Sequence, residues 1–427
     1  MESYLVDWLN LLLRWLHVIA AIAWIGESIY FVMLDNSLHP PKNEEKKKLG
    51  MFGEMWAVHG GGFYNNQKYL TNPPELPADL HWSFWKSYVT WLSGFALFTV
   101  IYLANPSFYL TNPASAWPWA ASLSGGAANV VAIAFLGGGW LVYDQLCRRI
   151  SPNMERDGPL SFVVALMMIG VAYAASHVFQ GRAAFLITGA VMATCMSANV
   201  FFWIIPGQRR MVADLRAGRA PNPLDGKRGK QRSVHNTYFT LPVVFLMISN
   251  HYAFTFGSAH AWIVMSLFIV AGALIRQYFV LRHSGRNVVA LPAAGVVLLA
   301  INAWVATLPA APVAATPAVA AAPAAAPIAA AAAAAGTPTA AAGGEAGFDR
   351  VKAVLDARCV SCHAAQPTQP GFSAPPAGVK LDNPHDIAAA AARIKKAVAT
   401  NYMPLGNMTK MTPEERQLIA DWTGQGQ

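Results

Sequence analysis

The sequence predicts an all-α membrane protein with a small helical domain at its C-terminal end, and three observations carry this prediction. First, 55% of the 427 residues are hydrophobic and only 12% are charged, with a mean hydropathy of +0.33. A soluble domain has about a quarter of its residues charged, so most of this chain is expected to lie in lipid. Second, the apolar residues are gathered into long runs. Third, a more polar segment with its own motif follows the last run.

Eight apolar runs are long enough to cross a hydrocarbon core of about 30 Å as helices. They define a predicted eight-helix transmembrane bundle over residues 1–308 and fall at 9–34, 85–104, 121–146, 160–180, 182–206, 238–257, 259–282 and 288–308. The net charge of +9 lies in the short loops between them, which favours a role in topology over nucleic-acid binding. Cys147 and Cys195 lie far apart in this domain, so no disulfide framework is expected.

The segment 309–345 is predicted to be a linker without chemistry of its own. Its residues are almost all Ala, and none of residues 309–344 is charged. Alanine favours helix, but the repeated prolines interrupt it. We therefore expect a semi-rigid or disordered tether between two domains.

The third domain, 346–427, contains the motif Cys359-Val360-Ser361-Cys362-His363. A Cys-x-x-Cys-His run is the attachment signature of a c-type haem, with two thioether bonds to the porphyrin and the histidine as an iron ligand. A thioredoxin-like redox pair is the alternative interpretation. The adjacent histidine and a later Met-Pro dipeptide argue against it. We expect one covalent haem c in a small α-helical domain of the class I cytochrome c type.

The second axial ligand of this iron is expected to be a thioether on the loop before the last helix. Met403 fits this position best, whereas Met408 and Met411 lie nearer the helix start. The run Thr412-Pro413-Glu414-Glu415 is a capping box with Pro at the first helical position, and it predicts where that last helix begins.

Two arguments place the N-terminus and the haem motif on the same, outer side of the membrane. Haem c is attached outside the cytoplasm, and an even number of spans returns the chain to its starting side. Independently, the loops assigned to the cytoplasm hold nearly all the basic residues, as the positive-inside rule requires. These residues are Lys42, Lys46, Lys47, Lys48, Lys68, Arg148, Arg149, Arg156, Arg209, Arg210, Arg216, Arg219, Lys227, Arg228, Lys230, Arg232, Arg282 and Arg286.

Ionisable and amide side chains inside the predicted spans are functional candidates because they are costly in lipid. Helix direction places His17, His177 and His251 in the outer half of the membrane. Each is explained equally well by interhelical hydrogen bonding, but together they are candidates to ligate a b-type haem or a metal. An inner tier holds Glu27, Asp144, Asn199, Arg276 and Gln277. The first cytoplasmic loop adds His59, which precedes three glycines and is expected to lie in a flexible loop.

Several stretches of the sequence resemble the bacterial membrane-bound urate hydroxylase family, in which an eight-helix urate oxidase N-terminal domain is fused to a cytochrome c domain. Their order along nearly the whole chain, rather than any single motif, carries the resemblance. They are Arg14-Trp15-Leu16-His17, Trp24-Ile25-Gly26, Trp56-Ala57-Val58-His59-Gly60-Gly61-Gly62-Phe63-Tyr64, Trp91-Leu92-Ser93-Gly94, Gly181-Arg182-Ala183-Ala184, Ala198-Asn199-Val200, Ile205-Pro206-Gly207-Gln208-Arg209, Ser249-Asn250-His251-Tyr252 and Met403-Pro404-Leu405-Gly406-Asn407.

The resemblance implies that urate is oxidised to 5-hydroxyisourate in a bacterial inner membrane, with the periplasmic cytochrome as electron acceptor and a terminal oxidase downstream. A planar anion such as urate needs a cation and amide groups, for which Arg276, Asn199 and Gln277 are the candidates. Glu27 or His59 is the candidate base. Two-electron oxidation also calls for a centre between substrate and haem c, and the outer histidines are where we expect it.

Two other functions remain open at the level of sequence. One is a quinol or other small-molecule dehydrogenase that feeds the tethered cytochrome. The other is a transporter or copper-handling membrane protein with a redox domain, because the helix-one pattern of His17 followed by Trp24 and Gly26 also occurs in such proteins.

Overall fold

A computed structural model describes residues 2–70, 73–113, 115–283, 285–308, 345–369, 375, 379–399, 403–404 and 407–422. The chain divides into two compact units, Met1–Thr307 and Leu308–Gln427, and each is described here by itself. The predicted linker lies almost wholly outside the described residues.

The first unit is built from helices. In chain order they are α1 (Glu2–Asn36), α2 (Glu44–Lys48), α3 (Trp85–Phe98), α4 (Pro106–Tyr109), α5 (Pro118–Ala121), α6 (Gly125–Ile150), α7 (Asp157–Val178), α8 (Gly181–Ala198), α9 (Ile205–Arg216), α10 (Pro223–Ile248), α11 (Ala253–Phe256), α12 (Ala261–His283) and α13 (Ala290–Val305). A π-helical turn, Thr99–Leu103, extends α3, and a second, Asn199–Ile204, joins α8 to α9. A 3₁₀ turn, Ser249–His251, follows α10.

By length and composition, five helical segments in the described part of the chain are apolar enough to cross a membrane: Trp8–Asn36, Gly125–Ile150, Asp157–Val178, Gly181–Arg216 and Ala261–Arg282. The prediction of eight spans is therefore supported for five. Helices also lie on the other three predicted runs, but α3 has 14 residues and α13 has 16, and the first half of α10 is polar.

Helix α10 corrects the predicted loop before residue 238. It begins at Pro223, where Pro occupies the first turn and the Asn222 side chain accepts a hydrogen bond from the Leu224 amide. The basic residues from Lys227 to Arg232, expected in a cytoplasmic loop, therefore lie on a helix. Arg232 is only 3% exposed.

The all-α prediction is wrong in one place, where the first predicted loop forms an antiparallel β-hairpin. Its strands are β1 (Met51–His59) and β2 (Gly62–Tyr69), with His59 paired to Gly62. Gly60 and Gly61 make the two-residue turn with φ of +60° and +80°. A turn with positive φ at both positions matches the twist of a hairpin and favours glycine, which explains the glycine run.

Helix α8 is buried on most sides, and small residues let its neighbours approach it. A Cβ on Gly139 of α6 would lie 2.6 Å from Cγ1 of the buried Val191. A Cβ on Gly181 would lie 2.1 Å from the carbonyl oxygen of Phe256. Small residues at helix contacts are the usual means of close packing in lipid, where dispersion replaces the hydrophobic effect.

The second unit is a small helical fold. Its helices are α14 (Glu345–Arg358), α15 (Val360–His363), α16 (Pro384–Ala399) and α17 (Pro413–Asp421). One apolar core joins them, with Phe348, Leu355, Ile387, Ile394 and Ile419 among its buried members. The predicted capping box is confirmed: the Thr412 hydroxyl accepts from the Glu415 amide, and the Glu415 carboxylate accepts from the Thr412 amide.

We expect Gly139→Ala to destabilise the first unit by about 1–3 kcal/mol, because the added methyl overpacks against Val191. Gly138→Ala on the same helix is the matched control, since a Cβ on Gly138 would meet no atom within 4 Å. The thermal midpoint of the purified protein in detergent measures both. Equal midpoints for the two variants would contradict close packing of α6 on α8.

Candidate functional site

A cavity with a volume of about 760 Å³ lies among α7, α10 and α12 of the first unit. We call it the His235 cavity. One end is exposed and charged, and the other end is buried. The polar and aromatic groups that line it include Asp157, Lys227, Lys230, Gln231, His235, Tyr238, Phe239 and Gln277.

His235 connects this cavity to a buried polar network. Its Nδ1 lies 2.8 Å from the Tyr143 hydroxyl, and both side chains are buried. The Tyr143 oxygen also accepts a hydrogen bond of 2.9 Å from Nδ2 of Asn199, whose other amide proton goes to Asn236. Since the tyrosine oxygen accepts from Asn199, its own proton is available to His235 Nδ1. We assign the Nε2–H tautomer to His235 from this network.

A buried ion pair holds the other side of the network. Arg232 donates to Asp144 Oδ1 at 2.9 Å, and both side chains are about 95% buried or more. Trp203 donates to the same oxygen, while the more exposed Arg148 reaches Oδ2 at 2.7 Å. Arg232 also contacts Asn199 Oδ1 at 3.4 Å. Asp144 is thus fully satisfied, as a buried carboxylate must be.

Further donors and acceptors of the His235 cavity are fixed by their neighbours. The Tyr238 hydroxyl donates to Gln277 Oε1, which leaves the Gln277 amide protons for a ligand. Gln231 donates from Nε2 to Asp157 Oδ1 at 2.6 Å, which leaves Gln231 Oε1 as an acceptor. The cavity therefore offers imidazole and amide N–H groups near its floor and two lysines at its exposed end.

The second cavity has a volume of about 260 Å³ and lies among α1, α3, α8 and the turn after α10. We call it the His17 cavity. His17 and His251 both line it, together with Arg14, Arg182 and Asn250. The Nδ1 of His17 lies 2.9 Å from the Thr90 carbonyl oxygen, which leaves Nε2 for a ligand. Gly94 makes room for the ring, because a Cβ there would lie 2.7 Å from His17 Cε1.

The third outer histidine does not join the other two. His177 stacks on Trp117 with ring centroids 4.9 Å apart and bonds the Tyr173 carbonyl oxygen through Nδ1 at 2.8 Å. It is absent from the described lining of the His17 cavity. Across the described residues, no group of three His, Cys, Asp or Glu side chains is arranged to hold a metal. The predicted grouping of three histidines therefore holds only for His17 and His251, which line one cavity.

The two candidate bases lie outside the described lining of both cavities. Glu27 accepts a hydrogen bond from Ser83 and forms an ion pair with Lys86 at 2.7 Å. His59 is exposed at the end of β1. Arg276 is half-buried with an Nε that has no partner among the described residues, but the lining of the His235 cavity includes its neighbour Gln277 instead.

Sequence reasoning found Asp144, Asn199 and Gln277 but missed the partners that give them a role. Tyr143, Arg232, His235 and Asn236 were not singled out. The signal was present on α10: Gln231, His235 and Phe239 recur at four-residue spacing, which places them on one helix face.

In the second unit, the haem motif begins where α14 ends. Cys359 caps the short helix α15, and the His363 amide donates to the Cys359 carbonyl at 2.9 Å. The Nδ1 of His363 lies 3.0 Å from the Val379 carbonyl oxygen, which orients the ring and leaves Nε2 for iron. Burial raises the pKa of the Cys359 thiol to about 12. These residues fit the donor set of a c-type haem.

Arginines hold the segments that flank this motif. Arg358 donates to Glu415 at 2.9 Å and to the Thr409 carbonyl oxygen at 2.6 Å, and the hydrogen bonds it makes lower the pKa of Glu415. Arg416 donates to the Met403 carbonyl oxygen at 2.9 Å and to Asn407. The Met403 backbone is therefore tied to α17, whereas Met411 is buried in the core.

Comparison with known proteins gives one family. A model of the urate oxidase N-terminal family matches residues 3–307. The chain belongs to this family. The match spans the membrane unit with both cavities and stops before the haem motif. No curated protein and no solved structure matches the chain.

We expect Arg232→Met to destabilise the protein by about 3–5 kcal/mol, because it removes the buried cation of the buried Asp144 carboxylate and leaves only the more exposed Arg148 to pair with it. Arg148→Met is the matched control: it removes the other cation of Asp144, but that side chain is 54% exposed, and we expect a cost below about 1 kcal/mol. Thermal midpoints in detergent compare the two. A larger loss for Arg148→Met would show that Arg232 lies in a loop, as the sequence alone predicted.

Proposed function

We propose that this protein is a membrane-bound urate hydroxylase that passes electrons from urate to a haem c on its own C-terminal unit. Membership of the urate oxidase N-terminal family supports a urate-related oxidoreductase. The observation that carries the proposal is the His235 cavity, which combines lysine cations with imidazole and amide N–H donors.

The reaction balances as urate plus water giving 5-hydroxyisourate, two electrons and two protons. Urate is an anion with several carbonyl oxygens, so its site needs positive charge and N–H donors. Lys227 and Lys230 at the exposed end supply the charge. His235 and Gln277 supply donors, and Phe239 supplies an aromatic wall. Placing urate here replaces Arg276 with these two lysines in the anion-binding role.

A base must take the protons that the reaction releases. Asp157 is the carboxylate among the described residues that line the His235 cavity. Its Oδ1 accepts from Ser151 at 3.0 Å and from Gln231, which leaves Oδ2 for a proton. Asp157 takes the role that sequence reasoning gave to Glu27 or His59, because Glu27 is ion-paired and His59 lies on an exposed hairpin.

In this proposal Cys359 and Cys362 would hold a haem covalently, and His363 and Met403 would supply the donor atoms for its iron. Such a group would supply one-electron redox chemistry toward a downstream acceptor such as a terminal oxidase. His363 is oriented by Val379, and Arg416 holds the Met403 backbone. In the proposed topology the cytochrome unit lies in the periplasm, and the basic start of α10 with Lys227 and Lys230 lies on the cytoplasmic side of the first unit.

Anaerobic addition of urate to the purified full chain tests the reaction class and the substrate together. We expect the reduced c-type spectrum to appear, and Cys362→Ala to lack it because covalent attachment is lost. Reduction by a quinol but not by urate would identify another dehydrogenase. Uptake of a solute into vesicles without any haem reduction would identify a transporter.

The site itself is tested by His235→Asn, which keeps a group near Nδ1 but removes the Nε2–H. We expect kcat/KM for urate to fall about 10- to 100-fold, as for loss of one hydrogen bond to a charged ligand. Reduction of the haem by dithionite should be unchanged. His177→Asn, at the histidine stacked on Trp117, is the matched control and should keep the wild-type rate. Equal rates for the two variants would place urate elsewhere.

A further inference from the structure

The His17 cavity is built from groups that the proposed urate chemistry does not use. Its described lining contains two guanidinium groups, Arg14 and Arg182, and no carboxylate. Arg14 donates to Asn10 at 3.2 Å and Arg182 to Asn250 at 3.3 Å, and within the described residues neither arginine forms an ion pair. Two cations in a lipid-embedded unit call for an anionic partner. The cavity therefore selects a ligand with negative charge.

The same cavity offers two imidazoles from different elements. His17 is on α1 and has its Nδ1 fixed by the Thr90 carbonyl oxygen, so Nε2 is the nitrogen that can bind a metal. A backbone carbonyl on the far nitrogen is the usual second partner of a metal-ligating histidine. His251 is on the 3₁₀ turn after α10, and its side chain has no hydrogen-bond partner in the part of the chain that the structure describes.

The remaining walls are largely apolar and aromatic. Trp91 and Phe95 stack on each other with ring centroids 5.2 Å apart. Phe98 and Tyr102 stack at 5.6 Å. Gly94 removes the side chain that would meet the His17 ring. Apolar aromatic walls, two imidazoles and two cations without an ion pair match a metalloporphyrin that carries two carboxylates.

From this combination we infer that the His17 cavity binds a non-covalent haem, with His17 and His251 as axial ligands and with Arg14 and Arg182 facing the propionates. Two imidazoles distinguish this occupant from an organic anion, which would need the cations alone. His177 takes no part. A haem held there would supply one-electron redox chemistry, which suits the two-electron oxidation of urate proposed above.

Haem extraction from the purified full chain tests this inference without urate. Acidified organic solvent removes non-covalent haem and leaves haem c attached through its thioethers. We expect about one extractable haem per chain in addition to the covalent one. His17→Ala and His251→Ala should each lower the extractable haem by about tenfold or more, since one axial bond is lost. His177→Ala, the matched control, should retain it.

Haem c content and elution volume on gel filtration report whether each variant is folded. A second variant, His17→Met, keeps a ligand for iron, and we expect it to retain haem with a shifted visible spectrum. Absence of extractable haem from the wild-type protein overturns the inference whatever the variants do. Equal loss in His177→Ala also overturns it, because the effect would not be specific to the cavity.

The haem site is inferred from the charges and ligands of the His17 cavity, whereas the role of that haem in urate oxidation rests on the proposed function. The haem site and the proposed function can therefore be disproved separately. A chain with extractable haem whose c-type spectrum does not respond to urate keeps the cofactor site and loses the substrate. A chain reduced by urate without extractable haem keeps the substrate and loses the cofactor site.

Discussion

The buried ion pair between Asp144 and Arg232 is the interaction on which the polar interior of the membrane unit depends. Removing two charges from water costs several kcal/mol per ion, so the pair is stable only when its remaining hydrogen-bonding groups are satisfied. Trp203 and Arg148 satisfy the remaining acceptor sites of Asp144. The three donors to Asp144 are Arg148 on α6, Arg232 on α10 and Trp203 on the π turn before α9. The pair therefore also fixes how these segments pack together.

A chain of hydrogen bonds connects this pair to the buried end of the His235 cavity. Arg232 donates to Oδ1 of the Asn199 side chain, so the Nδ2 protons of Asn199 point to Tyr143 and Asn236. That amide decides the direction of the Tyr143 hydroxyl, which in turn decides the tautomer of His235. Asn199 and Trp203 both lie on the π turn, and turns of this kind are frequent at functional sites. Through this chain of hydrogen bonds, the Asp144–Arg232 pair determines which nitrogen of His235 carries the proton that a ligand would meet.

Local sequence patterns predicted much of this molecule. The capping box at Thr412 and the long apolar helices each depend on residues close together in sequence. The start of α10 carries a local signal in the Asn222 cap and Pro223, but the composition of the run with Lys227, Lys230 and Arg232 favoured a loop and hid it. Its burial depends on Asp144, which is 88 residues away from Arg232. His177 shows a different limit of sequence reasoning: its grouping with His17 and His251 was inferred from helix direction, but the packing that places it against Trp117 depends on residues far away in sequence.

The charges that line the two cavities suit two different kinds of ligand. The His235 cavity sets Lys227 and Lys230 against Asp157 at an exposed end, so its positive charge is partly compensated when it is empty and it tolerates repeated exchange of an anion. The His17 cavity has two arginines and no carboxylate in its described lining, so when it is empty the lining offers its two positive charges no counter-charge. A ligand that must come and go needs the first arrangement. A resident group that is part of the folded protein needs the second, because its own charge completes the site.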